Sequence, residues 1–474
     1  MKIPMHRPLA FALVIAVGLA LLSACGPSTS AAARHAQALV ARGDFRAAEK
    51  LADEELAVNP KDAGLWHVKI RSALAQGDND RATRVYGDWT KVHGSEDLLA
   101  LRMMAKTVLW QGLRVPSTNI RALAIRTIER LEIEDLSQDV GDLIASDDDL
   151  VAAAASAALL TSHPQAPEVA TDLLRSDNPR ARALVIEAIG RKVGKHARDE
   201  LLKALTDPTP EVRRVALAAI AKLGNDDDTR KITELATKDA DGQVRAFALR
   251  ELAARSFGPA PDLVRAALAD DYQGARLAAL ELVSKRDDEE SIAILNAAAT
   301  GEDLPVAFRA AAALYRAGKP APIVAIELGL QADSWTVRAS ALNAIADASP
   351  KQTALRVAGE AITDDNVQVR LAAARVLRRL GEIERARQEF VAALSAEKES
   401  ARLSAAIDLI RLKDDRGLPA IITLAGSSDA RTRAGALRAH AFAKTISRAL
   451  IDGLADQRGE NRLIAADVIL QLAL

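Results

Sequence analysis

Arginine recurs along this sequence at an almost constant interval, each time beside an alanine-rich apolar run. In "DDNVQVRLAAARVLRRLG" (364–381), for example, Arg370 precedes "LAAARVL". The interval doubles only between Arg121 and Arg182, and Ala152 holds the corresponding position between them. The arginine column from there onward is Arg182, Arg213, Arg245, Arg276, Arg309, Arg338, Arg370, Arg402, Arg433 and Arg462. Twelve units with a period of roughly 31 residues indicate a repeat architecture, because a fixed period of this length marks stacked supersecondary units.

Each unit is predicted to be a pair of helices. Apolar residues recur at i, i+3, i+4 and i+7, a spacing that favours helices over strands. Further helices are predicted between the arginine runs, for example over 198–207 and 262–271. Abundant alanine with only 3% aromatic residues is typical of closely packed helices. Two helices cannot bury their apolar faces alone, so the units are expected to stack as an all-α solenoid.

An aspartate precedes most of these arginines by five or six residues. The pattern of aspartate, a hydrophobic residue, arginine and then alanine resembles HEAT repeats, most closely the short type first noted in phycobilisome lyases. The resemblance covers about 117–474 and implies a right-handed α-solenoid of about twelve hairpins. We expect the aspartates to cap the second helices and to pair with the arginines, in their own unit or the next, as a ladder that holds the repeats in register. These aspartates are Asp177, Asp207, Asp239, Asp270, Asp303, Asp333, Asp364 and Asp456.

The arginine column is a poor candidate for an active site, because a reaction needs one constellation of groups and not twelve copies. No Ser/His/Asp arrangement, Gly-rich phosphate loop or metal-ligand spacing stands out, so no catalytic residue, metal or cofactor is predicted. Three glycines (Gly190, Gly224 and Gly381) are interpreted as helix ends. An enzyme is the alternative, since HEAT-like relatives attach bilins or excise DNA bases.

The first residues have the features of an export signal. A basic start precedes an apolar run over 9–22, which is short for a membrane-spanning helix but suits a signal peptide. The following "LSAC" (22–25) resembles the lipobox of bacterial lipoproteins, which implies cleavage between Ala24 and Cys25 and lipidation of Cys25. Residues 1–24 are then the signal peptide and 25–33 a lipidated tether. The alternative is an uncleaved anchor with a coincidental cysteine.

Residues 34–93 resemble a pair of tetratricopeptide (TPR) repeats. Gly43 and Gly77 are separated by the same interval as Ala48 and Ala82, and this interval of about 34 residues is the period of that family. Residues 94–116 are predicted to form a connecting helix. Aromatic residues concentrate in this part of the chain, Trp66 and Tyr86 among them. They are expected either to pack at the junction between the two repeat types or to line a peptide-binding groove.

Three features of the repeat array suggest binding surfaces. Arg375, Arg378 and Arg379 follow Arg370 and are additional to the column, so they form either a basic concave groove or a solvated basic stripe. Trp335 stands in a turn and is expected to be an interface anchor or a packing residue. The C-terminal run "RLIAADVILQLAL" (462–474) is apolar on nearly all sides, which suggests docking to a partner or self-association.

The formal net charge of −1 does not favour a nucleic-acid binder. Together these features predict a lipid-anchored, non-enzymatic scaffold that binds envelope proteins of unknown identity. A secretion, pilus or motility machine is one possible setting. The protein would lie at the bacterial outer membrane, on the periplasmic face. The alternative function is binding of an envelope polysaccharide through the basic groove.

Overall fold

A computed structural model describes residues 30–162, 168–224, 228–255 and 261–473. All regular secondary structure within these ranges is helical, which confirms the all-α prediction. None of the helices there is long and apolar enough to span a bilayer. The predicted cleavage and lipidation site at Ala24 and Cys25 lies outside the described residues.

The described residues divide into two compact units, and the first and the last described helices belong to the same one. The terminal unit combines residues 30–143 with 413–473, and the central unit lies within 144–412. The helices of the terminal unit are α1 (Ala31–Ala41), α2 (Phe45–Val58), α3 (Ala63–Ala75), α4 (Asn79–His93), α5 (Leu98–Gly112), α6 (Thr118–Arg130), α7 (Ser137–Gly141), α25 (Gly417–Leu424), α26 (Ala430–Ala443), α27 (Arg448–Asp452) and α28 (Gly459–Ala473).

The central unit contains the intervening helices. They are α8 (Asp149–Ser162), α9 (Glu168–Thr171), α10 (Pro179–Lys192), α11 (Arg198–Ala204), α12 (Pro210–Leu223), α13 (Asp228–Lys238), α14 (Gly242–Ala254), α15 (Pro261–Leu268), α16 (Gln273–Val283), α17 (Glu289–Ala299), α18 (Leu304–Arg316), α19 (Val324–Leu330), α20 (Trp335–Ala348), α21 (Lys351–Ala361), α22 (Val367–Arg379), α23 (Ile383–Ala393) and α24 (Glu399–Arg411). Single 3₁₀ turns occur at Glu134–Leu136, Asp142–Ala145, Asp172–Arg175, Gly194–Ala197 and Gly453–Ala455.

The arginine column lies on alternate helices, from α6 to α28, with Ala152 on α8. Within the central unit each of these helices from α8 to α22 packs against the next one of its kind, and each from α12 to α24 also packs against the helix that precedes it in sequence. The predicted helix pairs and their stacking in register are therefore confirmed.

Each column arginine sits in the first turns of its helix. Helix starts are set by N-cap side chains that accept backbone N–H bonds, as Asn178, Asp241 and Asn366 do. Proline occupies the first position of α10 and of α12, where no N–H donor is needed. The arginine is the fourth helical residue in α10, α12, α14, α16, α20, α22, α24, α26 and α28.

Small residues allow these helices to approach closely. Gly190 lies inside α10, and a Cβ there would be 2.4 Å from the Cβ of Ala219 on α12. The prediction that Gly190 ends a helix is therefore wrong, because the glycine is needed for packing against the next repeat. Gly224 and Gly381 do follow helices with positive φ, as predicted.

The TPR-like region consists of two helical hairpins, α1/α2 and α3/α4. Gly43 and Gly77 adopt φ values of 78° and 74° at the hairpin turns. The aspartate after each glycine, Asp44 or Asp78, caps the next helix. Ala48 and Ala82 are fully buried. The predicted turn and packing roles of these residues are confirmed, while membership of the TPR family stays a prediction.

The C-terminal helix α28 is covered within the terminal unit. It packs against α5 and α6, which come from the opposite end of the chain. A Cβ added to Gly112 of α5 would lie 2.9 Å from Leu463 Cδ2. Arg102 Nε donates to the carbonyl of Ala473 (2.6 Å), and Arg130 pairs with Asp467. The expected docking of this helix to a partner or a second copy is therefore wrong, since its apolar face is already occupied.

Candidate protein-binding surface

Each complete rung of the arginine column joins two successive repeats. The Nε of Arg213 donates to Asp239 Oδ2 (2.8 Å), and its Nη2 donates to Oδ1 (2.7 Å). Its Nη1 turns back to the carbonyl of Asp207, six residues earlier (2.8 Å). The same two-sided contact recurs between these partners: Arg182 and Asp207, Arg245 and Asp270, Arg338 and Asp364, Arg433 and Asp456. Two parallel bonds from one guanidinium to one carboxylate fix orientation as well as distance.

One aspartate therefore serves two arginines. Asp239 accepts from Arg213 through its carboxylate and from Arg245 through its backbone carbonyl (2.8 Å). Its Oδ1 also accepts the N–H of Asp241, two residues later (2.9 Å). We call the position six residues before each arginine the aspartate column. At the complete rungs the predicted ladder thus runs from the arginine of one repeat to the aspartate of the next.

The aspartates do not generally cap the helices themselves. Asp207, Asp239, Asp270 and Asp364 each accept the N–H of the residue two positions on, immediately before the helix. Asp303 is an exception, since it pairs with Arg276 and is also the N-cap of α18. The capping prediction is therefore wrong at most units, because the paired carboxylate lies two residues before the N-cap.

The electrostatics of the rungs favour the charged forms. The hydrogen bonds from Arg245 are the main reason that the pKa of Asp270 falls to about 2. Burial by itself would raise the pKa of Asp207, but hydrogen bonds from Arg182 and the Thr209 N–H outweigh it and lower that pKa. The pKa of Arg213 is raised by its bonds to Asp239. In the Arg213–Asp239 rung the side chains are only 12% and 4% exposed, so solvent screens this pair weakly.

Both columns contain gaps, which coincide at Ala152 and Ser176 but not elsewhere in the described residues. Ala152 replaces the arginine on α8, and the aspartate column of the next unit holds Ser176, which bonds to Asp149 instead. Arg309 faces Ala332 in the aspartate column, and the described residues offer it no ion pair. Asp177 and Asp333 lie one residue beyond the column position and make no rung, contrary to the sequence prediction.

Two further arginines find other partners. Arg370 would pair at position 396, which is alanine, and its Nε instead donates to Glu389 (2.9 Å). Arg402 pairs with Glu399 of its own helix (3.1 Å). Arg462 keeps only the backward bonds, to the carbonyls of Asp456 and Gln457.

Two of the three additional arginines on α22 also link repeats. Arg375 donates from Nε to Asp408 Oδ2 (2.6 Å) and from Nη2 to Ser404 (2.7 Å), both on α24. Arg379 pairs with Asp347 on α20 (3.0 Å). Asp408 is fully buried. Asp408 and Asp347 therefore neutralise two of the three arginines that were expected to form an open basic groove, and the third, Arg378, is half-buried beside them.

Trp66 and Tyr86 point into the terminal unit. Trp66 is 8% exposed and donates from Nε1 to the carbonyl of Pro60 (2.8 Å). Tyr86 is fully buried, donates to Glu96 (2.6 Å) and accepts the N–H of Asp97 (2.9 Å). Burial and the bond to Glu96 raise the pKa of Tyr86. Both aromatic rings are packing residues in this structure, which agrees with the packing alternative and not with the peptide-groove alternative.

Trp335 differs from these two residues, because it is 43% exposed at the first position of α20. It lines a cavity of about 460 Å³ together with the beginnings of α22 and α24. The cavity also includes Arg370, Ala396 and Lys398. Sequence reasoning identified Trp335 and Arg370 separately, but nothing in the sequence placed them beside each other. The missing aspartate at position 396 was the available signal.

No group of acidic, histidine or cysteine side chains in the described residues has the arrangement of a metal site. The exposed, concave feature of the central unit that combines an aromatic ring with a partly bonded cation is the Trp335 cavity. It is therefore the candidate binding surface.

Comparison with known proteins agrees with the repeat architecture. The HEAT repeats family model matches residues 167–253, which span α9 to α14. No curated protein shows significant sequence similarity to the chain.

Solved structures with similar helical arrangements include human deoxyhypusine hydroxylase in complex with glycerol. That protein is 20% identical, with 54% of this chain and 99% of its own length covered and a TM-score of 0.25. Kap121p bound to RanGTP is 16% identical, with 80% of this chain covered and a TM-score of 0.32. A Kap121p mutant is 14% identical, with 92% covered and a TM-score of 0.28. The chain spans about half the length of Kap121p.

Proposed function

We propose that this protein is a lipid-anchored scaffold of the bacterial envelope that binds other proteins through the surfaces of its repeats. Cys25 would carry the lipid after cleavage behind Ala24, and residues 26–29, before the N-cap of α1, would tether the folded part to the membrane. Two or three acyl chains suffice for stable anchoring, because each buried methylene contributes about 0.8 kcal/mol. The outer membrane is the proposed location, with the protein on its periplasmic face.

The observation that carries this proposal is the use of the column arginines. In a catalytic or polyanion-binding surface the column arginines would face a ligand. Here most of them form ion pairs with aspartates of the next repeat. The ladder gives a rigid stack whose remaining exposed groups are free for recognition. Stacked helical repeats present extended surfaces of this kind to their partners. An accessory role in a secretion, pilus or motility machine is compatible with such a scaffold.

Two measurements test the anchor. Cells expressing the protein with an alkyne-labelled palmitate should yield a labelled band that is absent from the Cys25→Ser variant. The wild-type protein should fractionate with the outer membrane, and the variant should lose that association. Label retained by Cys25→Ser, or an unlabelled wild type, would contradict the lipoprotein assignment.

Partner binding is tested separately. Crosslinking of the lipidated protein in its own membranes, followed by mass spectrometry, should recover a defined set of proteins with crosslinks on the repeat helices. Recovery of glycan without protein crosslinks would favour polysaccharide binding and overturn the scaffold proposal.

A further inference from the structure

The column helices, which carry the arginine column, are joined least completely at α22 and α24. Each column helix from α8 to α20 packs more extensively on the next one than α22 packs on α24. Helix α24 packs mainly on α23, where its buried residues Ala401, Ala405 and Leu409 share an apolar cluster with Phe390. Segments with few tertiary contacts open at a lower free energy than well-packed ones, so the α22–α24 interface is the junction of the central unit that opens most easily.

No rung closes the beginning of this interface. In a complete rung the arginine donates through Nε and Nη2 to the aspartate of the next repeat, as it does between α20 and α22. The corresponding position after Arg370 is Ala396, and Arg370 Nε donates to Glu389 of α23 instead (2.9 Å). The Trp335 cavity, of about 460 Å³, is lined by residues from the beginnings of both helices. The start of α24 is therefore separated from α22 by open space.

A missing rung is not sufficient to make such a junction. Arg309 of α18 also has an alanine, Ala332, in its partner position and makes no ion pair with a described residue. Helices α18 and α20 nevertheless pack extensively on each other, so packing holds them together without the rung. In the described part of the central unit, the missing rung, the reduced packing and a cavity occur together at α22 and α24.

Arg375 fastens α22 to α24 farther along both helices. It donates from Nε to Asp408 Oδ2 (2.6 Å) and from Nη2 to Ser404 (2.7 Å). Arg375 lies five residues after Arg370, which is about 7.5 Å along the helix axis. Asp408 is fully buried, and without Arg375 it would keep only a 3.6 Å contact with Arg411. Since a poorly paired buried carboxylate is costly, this end of the interface stays closed while the other end is open.

We propose that the α22–α24 interface is a pivot, at which α24 rotates about the contact between Arg375 and Asp408 and changes the width of the Trp335 cavity. Asp408 is about 14 Å along the helix axis from the first residue of α24, so a rotation of roughly 10° moves that residue by about 2 Å. A motion of this kind adjusts the candidate binding surface while the packing before α22 is retained. The pivot is a property of the repeat array and depends neither on the lipid anchor nor on the identity of a partner.

Distances between spin labels test the pivot. Thr336 and Ser400 are exposed and lie two residues before the column arginines of α20 and α24, so this test pair spans the α22–α24 interface. Arg180 and Gln243 form the matched pair on α10 and α14, also exposed and two repeats apart, with complete rungs between them. Each pair is replaced by cysteines in the full chain carrying Cys25→Ser, labelled, and measured by double electron–electron resonance.

The distance distribution of the test pair should be at least twice as wide as that of the matched pair. Ala396→Asp combined with Glu389→Gln should narrow it to the matched width, because Arg370 is then released from α23 and offered the aspartate of a complete rung. Glu389→Gln alone should not narrow it. Ala332→Asp should not narrow it either, because it adds the same residue type before α20, outside the labelled interval.

Equal widths for the two pairs would overturn the pivot, and that comparison requires only the labels. A test-pair distribution that stays wide in the Ala396→Asp/Glu389→Gln variant, with an unchanged circular dichroism spectrum, would also overturn it, because the missing rung would not be the cause of the width. Neither result affects the palmitate labelling or the partner crosslinks. Failure of the pivot is therefore distinguishable from failure of the proposed scaffold function.

Discussion

Arg245 and Asp270 are held by two parallel hydrogen bonds of 2.7 Å, although they lie on successive repeats 25 residues apart. Arg245 also reaches back to the carbonyl of Asp239, the partner of the preceding arginine. Each rung is therefore connected to its neighbours through a shared aspartate. Removal of one member should disturb two contacts between repeats.

Breaking one complete rung should destabilise the central unit. In Arg213→Ala the Asp239 carboxylate, only 4% exposed, loses its cation. We expect the free energy of unfolding to fall by roughly 3 kcal/mol, the usual cost of an uncompensated buried charge. Urea unfolding measures it, with Arg214→Ala as control because Arg214 is the adjacent arginine outside the column.

The double variant Arg213→Ala/Asp239→Ala should recover part of the loss, because it leaves no unpaired charge. Equal stability of Arg213→Ala and Arg214→Ala would contradict the structural role of the rung.

Charge reversal at Arg375 should affect folding before it affects binding. Arg375→Glu would place a carboxylate against the fully buried Asp408, where Arg375 Nε now lies 2.6 Å from Oδ2. We expect a drop of at least about 3 kcal/mol in unfolding free energy. Arg378→Glu, on the same helix, should cost less than half as much. Thermal unfolding by circular dichroism compares the two, and similar losses would argue against the Arg375–Asp408 link.

Mild acid should weaken the terminal unit through His440. This fully buried side chain donates from Nδ1 to the carbonyl of Ala436 (2.9 Å), and its Nε2 accepts from Ser447 (2.7 Å). Burial lowers the pKa of His440 below its ordinary value of 6.5. The unfolded chain therefore takes up the proton first, and stability that is present above pH 6.5 is lost as the pH falls.

His440 changes the free energy of unfolding by at most about 1.4 kcal/mol per pH unit. Unfolding free energies measured between pH 7.5 and 5 should show this dependence. The His440→Gln variant should have a flatter dependence of unfolding free energy on pH in that range. The ladder aspartates act at lower pH, because their folded-state pKa values lie below the ordinary value, as at Asp270. An unchanged slope in His440→Gln would exclude His440 as its source.

The contact between α28 and α5 should be necessary for the terminal unit. Leu463 is 2% exposed and faces Gly112, so Leu463→Asp buries a charge against α5. The expected loss is at least about 3 kcal/mol. Gln471→Asp, on the exposed side of the same helix, is the matched control. Limited proteolysis should cut α5 in the first variant only, and resistance of both variants would refute the contact.

Sequence periodicity was sufficient to predict the helix pairs and the positions of the arginine column. These features repeat, so each unit supports the others. The partners of individual side chains could not be predicted from this pattern. Asp408 is on the repeat after that of Arg375 and lies outside both columns, so nothing in the pattern marked it as an acceptor. The packing of α5 on α28 could not be predicted either, since α5 lies in the predicted connecting segment 94–116, outside the arginine array.

The Trp335 cavity could be predicted from the sequence only in part. The alanine at position 396 breaks a regular pattern and is visible in the sequence. Its effect depends on the position of Trp335 relative to Arg370 in three dimensions, which the one-dimensional pattern does not contain.

The packing of α28 on α5 has a consequence for biosynthesis. Arg102 and Ala473 are separated by 371 positions, and translation proceeds at roughly 5–20 residues per second. Roughly 20 to 75 seconds therefore pass between synthesis of α5 and synthesis of its covering helix. During that interval Leu463 is not yet available to pack on Gly112, so the packing of α5 is completed only after α28 has been made.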